Sequence, residues 1–239
     1  MKGDEITLIE KLENLSRGGA IERYLSLANV EPSRRKTSCS RTRVIGLADK
    51  IDWPAAVGQF SPDHAARLAV WRGYSSEFVK WLRDRELIGI YKRNLALPVH
   101  NESGEVIAAH VRSKTGRWFY APRGAGCQPL VIGDLGATTN TMVFESQWDA
   151  FAVMDQCGWH REEPDGWSIL ITRGASNGRF SARVSGDIYA WPQNDFEKEG
   201  RRPGEEWLHD VAMHARGNVF RVAVPTQFKD ANDWYRAEQ

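Results

Sequence analysis

Three apolar segments in the second half of this 239-residue chain end in carboxylates. TMVFES ends at Glu145, with Asp149 four positions onward. DIYAWPQND ends at Asp195, after Gln193 and Asn194. NVFRVAVP leads through Pro225 to Lys229, Asp230 and Asp233. A charge at the tip of an apolar strand is costly unless it is paired or bound to a cation. If the three segments are neighbouring parallel strands, their tips meet in one crevice, where several carboxylates repel one another. A hard cation between them removes that repulsion, and oxygen ligands of this kind suit Mg²⁺ or Mn²⁺, which also coordinate phosphate. Glu145, Asp149, Asp195 and Asp230 are the candidate ligands, with Gln193, Asn194 and Asp233 as possible additions. Most have a plainer alternative. Glu145 could belong to a structural ion pair. Asp149 suits a first helical turn, Gln193 and Asn194 suit a turn, and Asp230 and Asp233 suit a helix cap.

The elements that must position these residues follow from periodicity. After Gly136 the chain alternates between short apolar runs and helical stretches: TMVFES, QWDAFAVMDQCG, GWSILITRGAS, DIYAWPQND, PGEEWLHDVAMHARG, NVFRVAVP and a closing KDANDWYRAEQ. That alternation predicts a mostly parallel, four-stranded sheet with flanking helices, whose ligand crevice lies beyond the carboxyl ends of its strands. Gly174, in the loop after the second run, could let backbone approach a phosphate or serve only the loop.

Upstream the pattern differs. PDHAARLAVWRG and SSEFVKWLRDRELIG read as two helices, with Pro62 in a first turn and Ser75 or Ser76 as a cap. NLALPVHNESGEVIAAHVRS alternates about a turn at Asn101–Gly104, a β-hairpin signature that RWFYAP extends. Here Arg112, Lys114, Arg117 and Arg123 interleave with Trp118, Phe119 and Tyr120. This is the composition of a single-strand track, where bases stack and phosphates pair, and equally of a solvated sheet face over core aromatics. Residues 5–16 and 21–30 suggest short helices, and the basic stretch from Glu31 to Arg43 reads as a linker. The boundaries follow: 1–60, a helical segment with a basic linker; 61–135, a helical and β-rich part; 136–239, the α/β part.

Composition narrows the classes. A net charge of +1 gives no global basic field, so nucleic-acid contact must come from local patches. The three cysteines, Cys39, Cys127 and Cys157, are scattered and odd in number, which excludes a disulfide framework and fits no zinc finger. No apolar run approaches the ~20 residues of a membrane span, so a cytoplasmic chain without membrane contact is expected.

The order of motifs resembles the TOPRIM domain of DnaG-type primases, type IA and type II topoisomerases, RecR and OLD-family nucleases. VFESQWDAFAV matches its opening Glu-x-x-x-Asp strand and helix, LITRGAS its glycine loop, and WPQNDFEKEG its acidic third motif. KDANDWY is similar to the closing segment of DnaG-type and phage or plasmid primases, and LALPVHNESGEVIAAHVRS is similar to the segment that precedes TOPRIM in such primases. The resemblance covers roughly residues 60–239. It implies a primase-like nucleotidyltransferase core that makes RNA primers on single-stranded DNA from nucleoside triphosphates, in company with a replicative helicase. Glu145 and Asp195 would be catalytic, with Asp149 and Asp230 as further ligands of Mg²⁺ or Mn²⁺. Arg112, Lys114, Arg117, Arg123, Gly174 and Lys229 would face nucleic acid or nucleotide, and no zinc is implied. Two departures stand out: Gln193 replaces a family acid, and Ser146 replaces a frequent glycine. They leave open a non-catalytic TOPRIM nucleic-acid-binding accessory protein, or a TOPRIM nuclease.

Overall fold

The computed structural model describes residues 51–123, 125–195 and 202–239, with positions 11–13, 20 and 23 upstream. The chain forms two compact units, 1–43 and 44–239. In the first, Lys11–Glu13, Ala20 and Arg23 are helical, and Arg23 meets Glu13 at 3.2 Å. The expected helices over 5–16 and 21–30 and the basic linker otherwise lie outside the described residues.

The second unit opens with helices α1 (Trp53–Gly58), α2 (Pro62–Arg72) and α3 (Ser76–Asp84). Each starts where a side chain can accept an otherwise orphaned N–H: Asp52, Ser61 and Ser75 cap them in turn. Gly73, at φ +77°, ends α2 in the left-handed conformation that glycine adopts without strain. An antiparallel sheet follows, in the order β1 (Gly89–Tyr91), β2 (Asn94–His100), β3 (Val106–Arg112), β4 (Trp118–Ala121). Its register sets its two faces. Leu95, Arg112 and Trp118 stand in one cross-strand row, whereas Ala96, Val111 and Phe119 stand in the next, on the opposite face.

A second sheet runs in the order β5 (Leu130–Ile132), β7 (Trp167–Ile171), β6 (Asn140–Phe144), β8 (Asp187–Trp191), β9 (Val219–Arg221). The four strands read from the sequence are present and mutually parallel. A fifth, β5, pairs antiparallel with β7 and lies before residue 136. Three residues are too few to show a period, which is why the sequence does not announce it.

Helix α4 (Gln147–Gln156) lies in the core cluster with Phe144, Ile169 and Ile171, and its Phe151 and Met154 are fully buried. The opposite face, with Val143, Leu170 and Ile188, is covered by α5 (Pro203–His214) through Trp207 and Val211 and by a 3₁₀ segment, Ala175–Arg183. Helix α6 (Ala231–Ala237) packs beside α4. The buried Asp155 joins three helices, accepting from the Ser75 hydroxyl at 2.6 Å, the Ser75 N–H at 2.7 Å and the Tyr235 hydroxyl at 2.6 Å. Charge-assisted bonds of this kind are roughly twice as strong as neutral ones, and here they lock α3 and α6 onto α4. Among the described residues no helix is long and apolar enough to cross a membrane.

Candidate functional site

Glu145 follows β6 directly, and Ser146 caps α4 by accepting from the Trp148 N–H at 3.2 Å. The serine in place of a glycine thus has a local task, closing the first turn of the helix that Glu145 precedes. One Glu145 carboxylate oxygen, Oε2, is buried and has no hydrogen-bond partner. Burial, and then the charge of Asp195, push its carboxyl up to about 7, against the opposing pull of Lys229. Asp195 reaches this place from the end of β8, and Lys229 lies 3.8 Å from its Oδ1. Glu145, Asp195 and Lys229 therefore share one end of the sheet, beyond the carboxyl ends of β6 and β8.

Asp149 and Asp230 form a separate pair. Asp149 is buried, and both its oxygens are engaged: Oδ2 accepts from Gln193 Nε2 at 2.7 Å and Oδ1 from the Asn232 N–H at 3.3 Å. Burial and the adjacent Asp230 raise it to about 8, which the Gln193 and Asn232 donors oppose. Asp230 caps α6, accepting from the Asp233 N–H at 2.9 Å, and Asp233 is an exposed first-turn acid. The four expected ligands are thus two and two, and among the described residues no group of three or more histidine, cysteine, aspartate or glutamate side chains is placed to hold a metal ion. The Gln193 amide donates to Asp149 where an acid would have added a charged oxygen.

A dication nonetheless fits the first pair. Mg²⁺ is often held by one or two carboxylates and completes its shell with water and substrate phosphate. Glu145 offers an unpartnered buried oxygen and Asp195 a second hard donor.

The remaining candidates separate. Asn194 is structural: its Nδ2 donates toward the carbonyls of Val224, Pro225 and Phe228 at 3.0–3.2 Å, and its N–H to Lys229 O at 2.7 Å, fixing the loop that carries Lys229. Gly174, at φ +134°, donates its N–H to Glu145 O at 3.3 Å, so it braces the Glu145 backbone and offers no free amide to phosphate. Lys114 and Arg117 are exposed in the turn between β3 and β4. Arg112 and Arg123 lie on different surfaces, Arg112 beside Trp118 and Arg123 at the rim of a groove by α1.

Sequence reasoning missed Arg72, Trp71 and Asn232. The Arg72 guanidinium lies 3.9 Å from the Trp71 ring centre and 4.4 Å from that of Trp148, while Arg112 lies 5.0 Å from Trp71. The two like charges thus flank one half-exposed indole, and burial first, then Arg112, pull Arg72 below its usual range. Arg72 Nη1 donates to Asn232 Oδ1 at 3.0 Å, and the Asn232 N–H reaches Asp149, so the cationic pair adjoins the buried acids. Among the described residues neither guanidinium has a carboxylate within salt-bridge range. Only the adjacent Trp-Arg pair hinted at this, since Asn232 is 160 positions away.

No family model matches the chain, and no curated protein matches it. Solved structures do. The primase fragment of the bacteriophage T7 primase-helicase protein is 17% identical, aligned over 71% of this chain and 68% of that one, with a TM-score of 0.50. The fold is similar to that of a primase catalytic core. A DNA primase domain from Pseudomonas aeruginosa (14% identical, 78% of this chain and 74% of that one, TM-score 0.47) and a DnaG primase catalytic domain bound to ssDNA (13%, 78% and 72%, TM-score 0.48) are also similar. The antiparallel sheet approaches α4 at Trp148, whose ring lies 5.7 Å from that of Trp118 and 4.4 Å from the Arg72 guanidinium.

Proposed function

We propose that this chain is a TOPRIM-type primase core, a DNA-directed nucleotidyltransferase that builds RNA primers on single-stranded DNA. In this reading 61–135 is the primase-specific part and 136–239 the TOPRIM domain, acting beside a replicative helicase. The observation that carries it is the pairing of Glu145 with Asp195 at the strand tips, with one buried oxygen of Glu145 left for a cation.

Glu145 and Asp195 would hold Mg²⁺ or Mn²⁺, which when bound neutralises charge on a triphosphate and on the oxygens of an in-line displacement. The chain's own groups do the rest. Lys229 adds a positive charge next to Asp195, where phosphate would enter. Arg72 and Arg112, held together by Trp71, form a site in which an anion between them removes their mutual repulsion. Trp148 and Tyr74 hold that cluster on α4, the Tyr74 hydroxyl donating to Trp148 O at 2.8 Å. Asp149 braces the crevice and does not ligate.

The engagement of Asp149 by Gln193 favours one second reading, a TOPRIM accessory protein that binds nucleic acid without catalysis. Incubation with single-stranded DNA, nucleoside triphosphates and Mg²⁺ or Mn²⁺ separates the two. Primer synthesis that Glu145→Gln abolishes supports the first. DNA binding that persists in EDTA, with no synthesis and no change in Glu145→Gln, supports the second. Nicking of plasmid DNA without nucleotides would instead indicate hydrolysis.

A further inference from the structure

The antiparallel sheet also carries a groove on its far side. Arg112 and Trp118 face Trp71 of α2 and Trp148 of α4, but the alternation of β-strand side chains turns Phe119 the other way. There, α1 lies close over a row of small residues: a Cβ on Gly89 would press into the backbone of Ala56, and Ala96 and Ala109 add little bulk. The result is an open groove of about 950 Å³ between α1 and the sheet. Its lining includes Tyr91 and Phe119, Lys92 and Arg123, and Asn94 and Gln59.

Four features of this groove agree. Phe119 is an aromatic on a β-strand and is 42% exposed. Tyr91 lies at the other edge of the sheet, on β1. The distance between those edges is three strand spacings, on the order of 14 Å, which matches about four stacked nucleotides of one strand. Neither Lys92 nor Arg123 has a carboxylate partner among the described residues, and the groove's one acid, Asp52, has an oxygen engaged by the Ala55 N–H at 3.0 Å.

We infer that this groove is a second binding site for single-stranded nucleic acid, separate from the crevice of Glu145 and Asp195 and from the Arg72–Arg112 pair. Bases stack on Phe119 and Tyr91, and phosphates meet Lys92 and Arg123. Aromatic platforms with flanking cations hold single strands with little regard to sequence, because every base has a π-face. The inference rests on the nucleic-acid reading above and adds to it that a strand is held on the back of the sheet, apart from the reacting end.

The test uses the full chain and a short fluorescein-labelled oligo(dT) or oligo(U), read by anisotropy across a salt series. Phe119→Ala is expected to weaken binding about fivefold to a hundredfold, and Lys92→Ala with Arg123→Ala to lower the salt slope by about two. Both strands should respond alike. A 5-iodouracil oligonucleotide on the wild-type protein is expected to crosslink to Phe119 or Tyr91, a readout that needs no variant to fold. If oligonucleotide binds, Arg112→Ala weakens it, the groove variants do not and crosslinks fall elsewhere, the groove is wrong while the nucleic-acid reading stands. If no oligonucleotide binds at all, both are overturned.

Discussion

Gln193 donates its side-chain amide to Asp149 Oδ2 at 2.7 Å, so a neutral side chain beyond the tip of β8 satisfies a buried carboxylate. Replacing Gln193 with alanine leaves that oxygen without its donor, which costs about 1–3 kcal/mol. Urea unfolding should show this as a lower midpoint with an unchanged slope. Gln193→Asp should behave differently. It sets three acids near one another, so its melting temperature should rise with Mn²⁺ by more than that of the wild type.

The same carboxylate predicts a pH effect. Asp149 ionises near its ordinary 3.8 when unfolded but is raised to about 8 in the fold. The folded state therefore binds the proton more tightly, and this contribution is full at low pH and lost as pH rises from about 4 through about 8. Asp149→Asn should flatten the decline of melting temperature over that window. An equally steep decline in the variant would assign it to other groups.

His110 gives the opposite limb. It is buried, stacked on Trp118 at 4.4 Å and on Tyr120 at 4.6 Å, and burial, then Arg173, lower it from 6.5 to about 3. The unfolded chain takes up a proton that the fold refuses, so stability is full above about 6.5 and falls as pH drops toward about 3. His110→Phe keeps the stack and should remove part of that acid loss, seen in chemical denaturation at pH 4 against pH 7.

Arg72 and Arg112 should differ although both are read as phosphate contacts. Arg112→Ala should weaken oligonucleotide binding and reduce the salt slope by about one, with little effect on stability. Arg72→Ala also leaves Asn232 Oδ1 without its donor and bares Trp148, so it should weaken binding and lower stability together. Anisotropy and urea unfolding on the same preparations distinguish the two patterns.

The strand-helix order from β6 to α6 was legible because each strand is an apolar run and each acid stands at its tip. Glu145 and Asp195 could be matched for that reason. The division of the acids into two pairs could not, because it depends on how the loop after β8 approaches α4. In the fold, Asn194 and the carbonyls of Val224, Pro225 and Phe228 set that approach. The aromatic and basic run 112–123 was visible as composition, yet its period-two alternation sends Trp118 and Phe119 to opposite faces. Reading it as one track overlooked the pleat. The Trp71–Arg72 cluster stayed hidden because its partners, Trp148 and Asn232, are brought to it only by tertiary packing.

In the proposed reading, Glu145 and Asp195 jointly hold a divalent cation. Titrating Mn²⁺ into the protein and following the loss of the free-ion electron paramagnetic resonance signal tests it most directly. The expected result is uptake of Mn²⁺ that Glu145→Gln and Asp195→Asn each weaken about tenfold or more, and that Asp233→Asn leaves unchanged. Uptake that survives both substitutions, or none by the wild type, would contradict it.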